Sequence, residues 1–246
     1  MQTVLCLHGF TGHGSDWSAT ISCLPQTYQA LAPDIVGHGD DTAPDDLKAY
    51  CMETVAEYLM RGLSEPLTLV GYSMGGRLAL YIACHYPDQV RGLVLVSASP
   101  GLRTETERAE RRQRDEQLAD QIEAQGMAWF VEYWSELALW DSQSEALKAQ
   151  LNAQRARHTA RGLAQNLRGM GTGAMPSLWD DLPHLTMPVQ LIVGALDHKF
   201  VALNQDMMQA IPHAELFIVP DAGHALHLEQ PDRFQQILTR FLADHP

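Results

Sequence analysis

The chain has 246 residues, 46% of them hydrophobic, enough for one α/β fold with a substantial core. Its formal net charge of -13 argues against nucleic acid or an anionic membrane surface as partner, because the long-range field repels polyanions; an anionic ligand would need a local basic pocket. No apolar run approaches the ~18 residues that span a bilayer and no basic segment leads into a signal-type apolar core, so a cytoplasmic location is expected.

Taken in chain order, short apolar strands are predicted at residues 3–7, 28–32, 67–71, 90–97, 189–194 and 214–219. Helices are predicted at 45–63, 74–85, 201–210 and 231–242, the last opening on a proline. This alternation implies a mostly parallel sheet flanked by helices. Between residues 99 and 187 the strand-like runs stop, Gln, Glu, Arg and Ala dominate, and Trp129, Trp134, Trp140 and Trp179 appear. The expected organisation is therefore an α/β core from 1–98 and 188–246 with a helical cap insertion at 99–187. Ligands of open α/β sheets bind beyond the carboxyl ends of the strands, so an insertion following Val96 is a candidate lid over that edge.

Cys6, Cys23, Cys51 and Cys84 form no C-x-x-C pair and each sits in or near an apolar run, which points to buried thiols rather than disulfides. His224-x-x-His227 is the tightest histidine pair in a candidate functional loop, yet it lacks the companions of a zinc site. No residue set calls for a metal, a nucleotide or a flavin.

Gly71-Tyr72-Ser73-Met74-Gly75 carries the chemistry. The bare G-x-S-x-G pattern recurs by chance; here a strand runs into it and a helix leaves it, which turns the hydroxyl out of the backbone into a cleft. A serine hydroxyl needs a partner to take its proton, and histidine is tuned for that. Two later strands each end in a loop with a suitable group: Asp197 after residues 189–194 and His224 after residues 214–219. Asp197 would otherwise read as a helix N-cap and His224 as a surface-loop histidine. Asp221 is the rival acid, but it shares the histidine's loop and would have to fold back; Asp34 reads as a residue that shapes its own turn. The order Ser73, Asp197, His224 is that of the α/β-hydrolase fold. His8-Gly9-Phe10 ends the first strand in a turn of the kind that donates an oxyanion-hole amide, here from Phe10, with the second donor expected from Met74.

Five segments extend the reading: Gly71 to Arg77, Ser99-Pro100-Gly101-Leu102, Glu107 to Arg111, Leu167 to Gly173, and Asp197-His198-Lys199-Phe200. Through them the whole chain resembles the MenH family, the 2-succinyl-6-hydroxy-2,4-cyclohexadiene-1-carboxylate synthases. Val36 departs from the many relatives of the fold that have proline before Gly-His-Gly, which bears on the rigidity of that turn. The resemblance implies a lyase that eliminates pyruvate from 2-succinyl-5-enolpyruvyl-6-hydroxy-3-cyclohexene-1-carboxylate, in menaquinone or phylloquinone biosynthesis, with Ser73 acting as base and without an acyl-enzyme. It also implies that Arg77, Arg111 and Arg155 bind the carboxylates of a small anionic substrate, with Arg157 the alternative to Arg155, and that Tyr72 and Trp134 line the pocket. Composition alone would make Arg103 to Arg114, interleaved with Glu105, Glu107, Glu110 and Asp115, a solvated helix joined by i,i+4 pairs. A serine hydrolase of esters or carbon-carbon bonds uses the same triad, and a ligand-binding receptor can keep the same fold.

Overall fold

Among the described residues, six strands form, mostly from runs rich in Val, Leu and Ile: β1 (Gln2–Leu7), β2 (Tyr28–Leu31), β3 (Leu67–Tyr72), β4 (Val90–Val96), β5 (Val189–Gly194) and β6 (Ala214–Val219). All pair in parallel, in the order β2-β1-β3-β4-β5-β6. The computed structural model describes residues 1–39, 43–63 and 65–245. β3 and β5 are buried along their whole length, which is why these runs are nearly continuous in apolar residues rather than alternating with polar ones.

The helices are α1 (Ser18–Ser22), α2 (Met52–Met60), α3 (Met74–His85), α4 (Glu105–Ser135), α5 (Glu145–Arg155), α6 (Ala160–Met170), α7 (His198–Ala210), α8 (Leu226–Glu229) and α9 (Pro231–Asp244). Strand residues alternate between two cores. Leu5, Leu7 and Leu69 pack with α2, α3 and α7 on one face, while Val4, Cys6 and Val70 pack with Trp17 and α9 on the other. Among the described residues, no helix is long and apolar enough to cross a membrane.

Two expectations need correction. The helix expected over 45–63 is interrupted at Cys51, whose extended backbone (φ -66, ψ 141) separates a 3-10 turn, Leu47–Tyr50, from α2. Asp46 caps that turn through Lys48 N–H, and the fully buried Tyr50 donates its hydroxyl to the Pro44 carbonyl at 3.2 Å, so tertiary anchoring overrides a continuous helical pattern. The cysteines are all free as expected, but only Cys6 is buried; Cys23 ends the short α1 at the surface and is exposed.

The chain leaves β1 toward β2 on one side and returns to β3 on the other, so the strand order reverses between β1 and β3. Their carboxyl ends flank the crevice where open α/β sheets bind ligands. Between β4 and β5 run α4, α5 and α6, with Ala119, Ile122 and Phe130 of α4 packed on Leu163, Ala164 and Leu167 of α6. Arg168 holds the two helices together from the outside, reaching Glu116 at 2.8 Å and Asp120 at 2.6 Å.

α4 is broken at Gly126, whose φ of 80 and ψ of 179 are not helical. A Cβ there would meet nothing within 4 Å, so the glycine is required by the backbone and not by crowding. On a straight helix Arg111 and Trp134 would lie about 34 Å apart; the break lets both line one cavity. Gly126→Ala is expected to cost about 1–3 kcal/mol in urea unfolding, because this backbone region is essentially reserved for glycine. An unchanged midpoint would show that the break is not a fixed feature.

Candidate active site

β3 ends at Tyr72 and α3 begins at Met74, leaving Ser73 alone at the bend with φ 50 and ψ -108. That strained backbone is held in the sheet, since Ser73 N–H donates to the Val96 carbonyl at 2.9 Å. The bend works only with glycines around it. A Cβ on Gly71 would sit 2.6 Å from Gly76 Cα, and one on Gly75 would run into the Leu7 carbonyl of β1. The sequence pattern is thus a packing requirement between β1, β3 and α3.

The loops after β5 and β6 bring Asp197 and His224 to the same edge. His224 Nε2 lies 3.0 Å from Ser73 Oγ and its Nδ1 lies 2.6 Å from Asp197 Oδ2. With the ionised carboxylate accepting from Nδ1–H, Nε2 carries the lone pair that faces the serine hydroxyl, which donates to it. Asp197 also accepts from Phe200 N–H at 3.4 Å, so the residue that meets the imidazole caps α7 as well. Asp221 is exposed and does not meet the imidazole. Asp34 accepts from Gly14 N–H at 2.7 Å and supports its own turn region. Glu229 was not singled out by the sequence. Its carboxylate accepts from Gly223 N–H at 2.7 Å and Ala225 N–H at 3.0 Å, gripping the backbone on both sides of His224.

Ser73 and His224 face a cavity of about 230 Å³ that Phe10 and Met74 also line. Met74 opens α3, where a backbone amide has no intrahelical acceptor. Arg77, one turn further along α3, lines the cavity and donates to the Met170 carbonyl at 3.1 Å. Burial, with Arg111 beside it, lowers its pKa to about 10, which leaves it charged at neutral pH. Arg111 lines the same cavity, and its Nε donates to Asp115 Oδ1 at 2.7 Å. This is an i,i+4 pair, as composition suggested, but Asp115 is buried and leaves the rest of the guanidinium fork free of it.

Tyr72 and Trp134 line the cavity, and burial pushes the Tyr72 hydroxyl well above its ordinary pKa. Arg155 is not part of the wall. It is buried behind Trp140, 5.1 Å from that ring's centroid, and donates to Asn152 Oδ1 and Thr11 Oγ1. Arg157 is exposed. Trp140 and Lys199 are among the lining residues to which the sequence assigned no role; the second lies inside the Asp197-His198-Lys199-Phe200 motif, which is its available signal.

Residues 4–237 match the alpha/beta hydrolase family. The chain is 42% identical to a Bacillus subtilis protein provisionally named 2-succinyl-6-hydroxy-2,4-cyclohexadiene-1-carboxylate synthase, over 98% of this chain and 90% of that one. It is 32% identical to the synthase of that name from Serratia proteamaculans, over 98% and 93% of the two chains. Among solved structures, MenH from S. aureus superposes with a TM-score of 0.95 at 31% identity, covering 99% of this chain and 94% of the other.

Four histidines near this edge, His8, His38, His158 and His227, are buried. Burial lowers His8 and His158 to about 4, His227 to about 3 and His38 well below its ordinary value. An unfolded histidine titrates near 6.5, so between these values the unfolded chain binds more protons and acid favours unfolding. Asp16, raised by burial, opposes this as one group against four. Stability is therefore expected to fall as pH drops below about 6.5, by up to about 1.4 kcal/mol per pH unit for each histidine. Equal urea midpoints at neutrality and at about pH 5 would contradict the neutral buried histidines.

Proposed function

Because the chain belongs to the alpha/beta hydrolase family and, within it, to the 2-succinyl-6-hydroxy-2,4-cyclohexadiene-1-carboxylate synthases, we propose that it is a lyase of menaquinone biosynthesis. It eliminates pyruvate from 2-succinyl-5-enolpyruvyl-6-hydroxy-3-cyclohexene-1-carboxylate, in the cytoplasm. The observation that carries this reading at the site is the hydrogen-bond chain from Asp197 through His224 to Ser73, at 2.6 and 3.0 Å, opening onto a cavity that holds Arg77 and Arg111.

In the proposed reaction Ser73 passes its proton to His224 Nε2, and Asp197 stabilises the imidazolium. The alkoxide takes a proton from the ring. The electron pair of that C–H bond moves into the ring as the C–O bond to the enolpyruvyl group breaks, leaving the cyclohexadiene. The departing enolate takes up a proton from His224 and leaves as pyruvate, so the catalytic groups return to their starting forms. The amides of Phe10 and Met74 are the proposed donors to the developing negative oxygen.

Arg77 and Arg111 are the proposed carboxylate ligands, a task for which a guanidinium is suited by its fork of donors and its permanent charge. Asp115 supports this by fixing Arg111 through Nε alone. Arg155 belongs to the proposal on one condition: with Trp140 between it and the cavity, the indole must turn aside before a carboxylate reaches the buried guanidinium. Its burial gives it more support than the exposed Arg157. Residues 99–187 act as the cap, since they supply Arg111, Trp134 and Trp140 to the cavity wall.

Ser73→Ala and His224→Ala should each lower kcat for pyruvate release by about a thousandfold or more. Near-normal release by Ser73→Ala would refute its role as base. Arg77→Ala and Arg111→Ala should each lower kcat/KM by at least about tenfold, from the loss of a charge-assisted contact. Unchanged kinetics in both would rule out the carboxylate clamp.

A further inference from the structure

Thr11, next to the proposed Phe10 donor, has a φ of 68, a left-handed backbone that a β-branched residue rarely adopts. Such a backbone persists where the surroundings over-determine it. Three side chains do so here. Thr11 N–H donates to His38 Nε2 at 3.1 Å, Arg155 Nε donates to Thr11 Oγ1 at 3.3 Å, and His158 Nε2 lies 3.0 Å from the Thr11 carbonyl. His38 comes from the turn after β2, whereas Arg155 and His158 come from the helical segment between β4 and β5.

The direction of the Phe10 amide is fixed by the same region. The Gly9 carbonyl shares a peptide plane with Phe10 N–H, and in a trans peptide the two point opposite ways. That carbonyl accepts from Gly12 N–H at 2.9 Å and lies 2.8 Å from His8 Nδ1. Because His8 Nε2 accepts from Ile35 N–H at 2.9 Å, the ring proton is on Nδ1 and points at Gly9. The same reasoning sets His158. Gly39 N–H, which can only donate, faces its Nδ1 at 3.2 Å, so Nε2 carries the proton and donates to Thr11.

We infer that His158 is a positioning residue: by bridging Gly39 N–H to the Thr11 carbonyl, it holds the Gly9-Phe10-Thr11 loop in place only when the helical segment is docked on the sheet. Assembly of the Phe10 donor site is thereby coupled to docking of the residues that bind substrate. The catalytic meaning of this clamp rests on the lyase reading; the clamp itself is a statement about the backbone of one loop.

Asparagine and glutamine separate the two halves of the bridge. His158→Asn keeps an acceptor near the Nδ1 position for Gly39 but is too short to reach Thr11, whereas His158→Gln carries an N–H to the Nε2 position. Both put an amide in place of the buried ring, the glutamine one methylene longer. His158→Asn is expected to lower kcat for pyruvate release about tenfold or more, short of the 10²–10³ lost when an oxyanion donor is deleted outright, with KM little changed. His158→Gln is expected to recover most of kcat. Equal kcat in the two variants, or an effect on KM alone, would overturn the inference. Hydrogen exchange at the Phe10 and Thr11 amides gives a second readout that needs no substrate turnover: faster exchange in the asparagine variant than in the glutamine variant supports the clamp, and equal exchange refutes it. Absence of pyruvate release from the unaltered protein would instead refute the lyase reading and leave the exchange comparison to decide the clamp.

Discussion

The close approach of α3 to β1 sets the limits within which the rest of the site is built. Gly75 can lie against the Leu7 carbonyl only because it has no Cβ, and this contact lets the helix start directly over the crevice between β1 and β3. Ser73 must then take a backbone conformation that serine avoids, stabilised by its bond to the neighbouring strand β4. The hydroxyl ends up rigidly presented at the carboxyl edge of the sheet, where the loops after β5 and β6 can meet it. A side chain added at Gly75 would push α3 outward and separate Ser73 from His224, although neither residue would have changed.

Around this edge the protein sets a basic wall within an acidic whole, as the proposed anionic substrate requires. The chain carries a formal net charge of -13, yet Arg77 and Arg111 face the cavity and Arg155 stands one ring behind it. Burial costs Arg77 some of its basicity without removing its charge, so the proposed substrate would exchange water for guanidinium donors already in position. Asp115 balances Arg111 from behind, and its single short bond orients the group without consuming it. In the proposed elimination, the same positive wall that binds the carboxylates also favours the electron density released when the ring proton leaves.

The parts of this arrangement that were legible in the sequence are those written in consecutive residues. Gly71 to Gly75 states its own bend, and Asp197 and His224 each follow a recognisable strand, so the order of the three groups and their common edge could be inferred. Residues whose role depends on packing between distant segments were harder to read. Whether Arg155 faces the cavity depends on Trp140, fifteen positions away and on another element, and nothing local to Arg155 encodes that. Tyr50 breaks an otherwise helical pattern through its burial beneath α6, where Gly169 has room only for a hydrogen beside it. Nothing local marks His158, because its partners, Thr11 and Gly39, lie more than a hundred residues earlier in the chain.

The central claim is that Ser73 removes a proton rather than attacking a carbon. Single-turnover pyruvate release from substrate deuterated at the ring position that loses its proton tests this most directly, with saturating enzyme so that binding does not limit the rate. Slower release from the deuterated substrate, with the intact protein keeping its unmodified mass throughout, is the predicted result. Release at an unchanged rate, accompanied by a covalent adduct on Ser73, would contradict it.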